Sequence, residues 1–247
     1  MGRVVFIGAG PGAADLITVR GAQRLAAADV VLYDALTDPA LQDLAPKATW
    51  FHVGKRGFRP DSMDQAEIND LLVRYAREHT LVVRLKGGDP SIFGRLEEEL
   101  EALAAAGIAC EVVPGVTSAL AAAAAAARPL TRRGSGRSLS LTTAMTRTGD
   151  MNATRTADTE VFYMAGKQLA ALSARLLEAG WPADTLVSIV SKAGWPDSRH
   201  SEHTVATLGE AGPVHEDRPA VVVVGAGAAP LDPSPIVPGA ASTPAKG

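Results

Sequence analysis

Short apolar runs alternate along the chain with stretches whose apolar positions recur every three to four residues. Residues 4–7, 30–33, 49–53, 81–85 and 109–113 are β-branched or aliphatic runs bounded by turn residues, and each predicts a strand. Helical spacing predicts helices over 16–28, 97–106 and 117–127. Gly107 stops the second of these and Arg128-Pro129 the third. Ser62-Met63-Asp64-Gln65 has Ser-x-x-Gln capping-box spacing, which predicts a helix running to about Glu78. Continuous apolar strands alternating with helices predict a mostly parallel sheet covered on both faces.

Residues 128–136 hold Pro129, Gly134, Gly136 and several arginines, and beyond them the pattern restarts. Strands are predicted over 139–142, 160–164, 186–190 and 220–224, and a helix over 168–179. Residues 201–207 alternate polar and apolar, which predicts a half-exposed antiparallel strand. The expected organisation is two α/β domains, 1–128 and 129–227. Five prolines and no periodicity predict a disordered tail over 228–247.

Composition narrows the function classes. Aromatics make up only 4% of a chain that is 47% hydrophobic, so the core must be built from Leu, Val, Ile and closely packed Ala. A formal charge of −3 argues against a nucleic-acid or acidic-membrane partner. The single cysteine, Cys110, excludes a disulfide framework and a Cys-based zinc site. No histidine has metal-ligand spacing, so no metal is expected. The apolar runs are too short to cross a membrane. Gly2-Arg3 leads straight into a strand without a signal-peptide pattern, so the expected location is cytoplasmic.

Three strand-to-helix loops carry candidate chemistry. Gly8-Ala9-Gly10-Pro11-Gly12 lets a backbone approach a ligand closely. One reading is a dinucleotide loop with Asp34 as the ribose-binding acid. Pro11 lacks the N–H a phosphate wants, and the third glycine falls one residue early for Gly-x-Gly-x-x-Gly. A plain tight turn is the alternative. Lys86-Gly87-Gly88-Asp89-Pro90, followed by Ile92 and Phe93-Gly94-Arg95, lies at the C-terminal end of a strand, where open α/β sheets bind ligands. It suits a ligand with an amine, ribose hydroxyls and an adenine edge better than a phosphate. A βα loop with an N-cap aspartate is the bland alternative. Val113-Pro114-Gly115-Val116-Thr117-Ser118 is a third such turn, in which Thr117 could simply cap the helix.

Together these loops resemble the tetrapyrrole (corrin/porphyrin) methyltransferase family, within it the enzymes that act on uroporphyrinogen III. Further matching pieces are Asp15-Leu16-Ile17-Thr18, Tyr33-Asp34-x-Leu36, Gly54-Lys55-Arg56, Gln65-x-x-Ile68-Asn69, Pro129-Leu130-Thr131, Val161-Phe162-Tyr163-Met164 and Pro182-Ala183-Asp184-Thr185. The resemblance covers about residues 3–225. It departs at Leu96-Glu97-Glu98-Glu99, where the family usually has Gly-Gly-Glu-Glu, and at Thr143-Ala144-Met145, usually Thr-Gly-His.

The resemblance implies a homodimer of two α/β domains with S-adenosyl-L-methionine bound in a cleft between them and S-adenosyl-L-homocysteine as product. It implies cofactor contacts from Pro11, Gly87, Gly88, Asp89, Ile92, Thr117, Ser118, Met164 and Ala193. Asp34 and Lys55 would be base and acid in a methyl transfer to a pyrrole carbon. The implied substrate carries eight carboxylates, so arginines become candidates for gripping it. Arg56, Arg95 and Arg132, with Glu98, are the main substrate-side candidates, and Arg59, Arg133 and Arg137 are further ones. A weakened binding paralogue and a nicotinamide enzyme are the competing readings.

Overall fold

The computed structural model describes residues 2–54, 63–144, 151, 153–215 and 217–231. The five apolar runs of the first half are β1 (Arg3–Gly8), β2 (Val30–Tyr33), β3 (Thr49–His52), β4 (Leu81–Lys86) and β5 (Ala109–Val113). They pair in one all-parallel sheet, in the order β3-β2-β4-β1-β5. Strand side chains alternate between faces. Val4, Phe6, Leu32 and Val82 therefore pack against α2 (Gln65–Glu78) and α3 (Leu96–Ala105). Val5, Ile7, Val31 and Val83 face the other way, onto Leu25 of α1 (Val19–Ala26) and Leu41 of a 3₁₀ turn. The expected parallel sheet with two covered faces is what this half forms.

Two helix starts differ from the sequence reading. The helix expected over 16–28 begins at Val19, because Thr18 caps it by accepting the Gly21 N–H at 3.1 Å. A threonine oxygen satisfies an orphan donor at a helix start better than it serves a helix interior. The capping box of α2 is Asp64 with Glu67: Glu67 N–H donates to Asp64 Oδ1 at 2.9 Å, and Asp64 N–H to Glu67 Oε2 at 2.7 Å. Its spacing matches Ser62-x-x-Gln65 shifted by two, and Ser62 lies outside the described residues.

The chain divides into two units, Met1–Thr117 and Ser118–Gly247. The second unit opens with α4 (Ser118–Ala125), ahead of the 128/129 boundary read from the arginine-rich stretch. Ala119 and Ala122 are buried where α4 packs on the second sheet. That sheet holds β6 (Leu139–Thr143), β7 (Thr159–Tyr163), β8 (Leu186–Ser191), β9 (Arg199–Thr204) and β10 (Ala220–Gly225), in the order β6-β7-β10-β8-β9. Only β6 and β7 are parallel; the other three pairings are antiparallel. The half-exposed antiparallel strand expected over 201–207 is found two residues earlier as β9, whereas the antiparallel direction of β10 was not expected, because a buried apolar run carries no mark of strand direction. Leu169, Leu172 and Leu176 of α5 (Leu169–Glu178) close one face over Phe162, Ile189 and Val222. Ordered chain continues past the expected end at 227. Ala228 is buried, and the carbonyl of Ala228 and those of Ala229 and Pro230 accept bonds from Arg128 and Arg132 respectively. Residues 232–247, most of the expected tail, lie outside the described residues.

Candidate active site

An all-parallel sheet delivers every strand's C-terminal end to one edge, and in the first unit three glycine loops meet there. Gly8, Gly88 and Gly115 pack backbone on backbone. A Cβ on Gly115 would lie 2.3 Å from the Gly88 carbonyl oxygen, and one on Gly8 would lie 2.5 Å from Gly115 Cα. Only glycine permits that approach. Gly10 and Gly88 exchange backbone hydrogen bonds of 3.3 and 2.7 Å. Asp89 knits the loops rather than standing free: Oδ1 accepts Ser91 N–H at 2.8 Å and Oδ2 accepts Gly115 N–H at 2.9 Å. Each of its oxygens keeps a second lone pair. Around this seam Pro11, Gly87, Ile92 and Thr117 are all half-buried.

Beneath the seam lies a buried ionic cluster that the sequence reading did not assign. Arg84 and Lys86 occupy alternate positions of β4, so they share one face. Glu99, one turn into α3, receives both: Arg84 Nε donates to Oε1 at 3.0 Å and Lys86 Nζ to Oε2 at 2.8 Å. Arg84 Nη2 reaches Asp34 Oδ1 at 2.6 Å, just past the end of β2. Its Nη1 donates to the carbonyls of Leu32 and Leu85 at 3.4 and 3.2 Å. Gln65 Nε2 adds a 3.3 Å bond to Glu99 Oε1. Two cations face two carboxylates, so the cluster is neutral in sum. Burial works against the Arg84 charge, but Asp34 and Glu99 outweigh it and raise the guanidinium pKa. Burial pushes the Lys86 ammonium down and Arg84 adds to that, with Glu99 offsetting only part. Asp34 thus meets a buried arginine. The available signal was two cations on one face of an otherwise apolar strand, which must find carboxylates when buried.

Arg95 and Glu98 pair with each other. Arg95 is the N-cap of α3 with a left-handed backbone (φ 54°) and makes a two-point bond to Glu98, Nε to Oε1 at 2.7 Å and Nη2 to Oε2 at 2.6 Å. That hydrogen bond raises the arginine pKa and lowers the carboxyl pKa. Both side chains are about half exposed, so the pair is easily exchanged for another carboxylate.

In the second unit β7 and β8 are each antiparallel to β10, so they run the same way and end at the same edge. Met164 follows β7, exposed and with φ 59°; Lys192 follows β8 with φ 49°, and the adjacent Ala193 is buried. Phe93 and Arg95 of the first unit also have positive φ. Four of the six non-glycine residues with positive φ among those described thus lie in or beside the predicted motifs, where such strain tends to gather at working sites. Arg132 sits at the opposite edge of the second sheet. It lines a cavity of about 470 Å³ with Arg155, Asp158, Trp181 and Gly225, and Gly225 pairs with Thr159 at the start of β7. Its guanidinium donates to the carbonyls of Ala229 and Pro230. Arg132 therefore clamps the chain beyond β10, a strand length away from Met164.

A family model described as tetrapyrrole (corrin/porphyrin) methylases matches residues 3–211. The chain belongs to that family. Siroheme synthase of Psychrobacter arcticus is 42% identical over 216 residues, covering 85% of this chain and 39% of that protein. Siroheme synthase of Escherichia coli is 40% identical over 230 residues, covering 91% and 50%. The chain spans half or less of the length of these relatives. Among solved structures, uroporphyrin-III C-methyl transferase from Thermus thermophilus, complexed with S-adenyl homocysteine, is 36% identical with a TM-score of 0.79, over 91% of this chain and 97% of that one. A cobalt precorrin-4 methyltransferase, a cobalamin biosynthetic enzyme, is 33% identical with a TM-score of 0.80, over 92% and 96%.

For this tetrapyrrole methylase the expected site residues divide between the units. Pro11, Asp34, Gly87, Gly88, Asp89, Ile92, Arg95, Glu98 and Thr117 belong to the first, and Ser118, Met164 and Ala193 to the second. Lys55, Arg56, Arg59 and Met145 lie outside the described residues. No group of acids, cysteines and histidines able to hold a metal occurs among the described residues. No helix there is long and apolar enough to cross a membrane.

Proposed function

We propose that this chain methylates ring carbons of a tetrapyrrole with S-adenosyl-L-methionine, and that the substrate is uroporphyrinogen III, methylated at C2 and C7 to give precorrin-2. The observation that carries the reading is the seam of Gly8, Gly88 and Gly115 closed by Asp89, in a chain of this family. It offers backbone donors and acceptors and a carboxylate with spare lone pairs, beside the exposed Leu36 and Phe93. These fit an amino-acid, ribose and adenine ligand; Pro11, Gly87, Gly88, Asp89, Ile92 and Thr117 would hold it, with Ser118, Met164 and Ala193 from the second unit. Similarity to the Thermus thermophilus protein complexed with S-adenyl homocysteine supports the same ligand.

Once bound, the sulfonium supplies an electrophilic methyl: a pyrrole carbon's electron pair forms the new C–C bond, and the S–CH₃ pair returns to sulfur. Asp34, an accessible carboxylate at the sheet edge, is suited to face the positive charge left on the macrocycle and to accept the proton lost from it. Lys55 is the proposed acid partner. Arg95 would release Glu98 to take a substrate carboxylate, and Arg56 would add a second grip. Arg132 is better read as a clamp on its own chain than as a substrate residue. The proposed assembly is a homodimer and the proposed location cytoplasmic, with no nucleic-acid or membrane partner.

Incubating the purified chain anaerobically with S-adenosylmethionine and uroporphyrinogen III made in situ should give a product two methyl groups heavier by mass. Absence of any mass gain would refute the reading. A second reading, another corrinoid as substrate, is favoured by the comparable TM-score to the cobalt precorrin-4 methyltransferase, 0.80 against 0.79. Turnover of a cobalt-containing corrinoid, with none of uroporphyrinogen III, would select it.

A further inference from the structure

The buried cluster of the first unit reaches the sheet edge through Asp34. The Arg84, Lys86 and Glu99 side chains are 0–4% exposed, whereas Asp34 is 27% exposed. The chain of contacts runs from the interior to a single accessible carboxylate at the C-terminal edge of the sheet. Every nitrogen of Arg84 is committed: Nε to Glu99, Nη1 to two strand carbonyls, Nη2 to Asp34. A planar guanidinium held at three points has no rotational freedom left, so its fourth contact dictates where the Asp34 oxygen lies. Glu99 is held on its other oxygen by Lys86, and Gln65 of α2 shares with Arg84 the first. The next residue back, Glu98, carries the Arg95 pair, and its carbonyl accepts Asn69 Nδ2 at 3.2 Å. One anchor therefore fixes both Asp34 and the start of α3. Stability alone does not call for such a cluster, since well-packed apolar side chains serve a sheet face as well as buried ions do.

We propose that Arg84 and Glu99 are positioning residues for methyl transfer: Glu99 anchors Arg84, and Arg84 sets the orientation of the Asp34 carboxylate toward the substrate. The assignment rests on the reaction proposed above. Neither residue touches substrate; both act through Asp34.

The test uses Arg84→Lys in the full chain. Lysine keeps the charge, but one ammonium cannot span Glu99 and Asp34. The expected result is a fall in kcat of at least about tenfold, with S-adenosylhomocysteine affinity by calorimetry within about twofold and the tetrapyrrole KM within about threefold. On an Asp34→Asn background the same change should cost nothing further, because the group being positioned is already lost. Unchanged kcat, a matching loss of cofactor affinity, or additive losses in the double variant would each overturn the assignment. If Arg84→Lys does not fold, Glu99→Gln is read in the same way, and failure of both to fold would make the cluster merely structural and overturn it too. Wild-type inactivity on any tetrapyrrole would refute the proposed reaction instead. A crystal structure of Arg84→Lys then decides the positioning separately: Asp34 left in its original rotamer overturns it.

Discussion

The two five-stranded sheets solve the problem of buried polar groups in different ways. In the first, all strands are parallel, the central ones are buried on both faces, and the charged groups inside pair as ions: Arg84 and Lys86 with Glu99, and Arg84 with the partly exposed Asp34. In the second, most strand pairings are antiparallel, and the buried polar groups meet hydroxyls: Thr154 and Thr156 bond the buried Glu160, and serines bond His215, one of them also accepting from Arg218. His215 contacts Ser191 Oγ at 2.9 Å through Nδ1 and Ser201 Oγ at 2.8 Å through Nε2, and Ser201 contacts His203 at 2.9 Å. A parallel sheet gathers its loops at one edge, so a charge cluster there serves a site. A sheet of mixed direction spreads its loops over both edges: Met164 and Lys192 at one, the Arg132 cavity at the other. The difference teaches that strand direction decides how much chemistry one edge can hold.

That contrast is broken most sharply at Glu99. Glu99→Ala leaves Arg84 and Lys86 buried without their shared carboxylate and should cost about 3–5 kcal/mol in urea unfolding. A cost below about 1 kcal/mol would mean that water reaches the cluster.

The buried His215 makes a pH prediction of the next size. Burial lowers the His215 pKa to about 4, below the ordinary value of about 6.5 expected in the unfolded chain. As the pH falls the unfolded state therefore binds the proton first. The stability carried by neutral His215 is complete above about pH 6.5 and is lost as the pH falls toward 4, by up to about 1.4 kcal/mol per unit. Unfolding free energies measured between pH 7 and 4.5 should fall less steeply in His215→Gln than in wild type; parallel slopes would show that another group carries the dependence.

The smallest effect sharpens the comparison from the surface. Arg95→Ala removes an exposed ion pair and should change stability by less than about 1 kcal/mol, while raising the tetrapyrrole KM more than it weakens S-adenosylhomocysteine binding. Equal weakening of both would contradict a substrate role for Arg95.

Much of this was legible in residue order. The apolar runs marked nine of the ten strands, because a buried strand needs an apolar side chain on each face whatever its neighbours are, and polar-apolar alternation marked β9. The glycines of the three loops, with Asp89 and Arg95, marked the site edge. Residue order marks Asp89 as an acceptor in its loop but not its tie to Gly115, which lies 26 residues away and is brought close by the sheet. Arg132 was grouped with the substrate arginines by charge alone, and its place at the opposite sheet edge follows from the direction of β10.

The sequence by itself determined the elements, the faces they bury and the family, since periodicity and motif spacing are local properties. Only the tertiary structure decided the order of the strands, the antiparallel setting of β10 between β7 and β8, and the partners of Arg84. Asp34 is 50 residues from Arg84 in the chain, and they meet because β2 and β4 are hydrogen-bonded neighbours. Strand order is chosen by the packing of whole faces, and no local spacing records it.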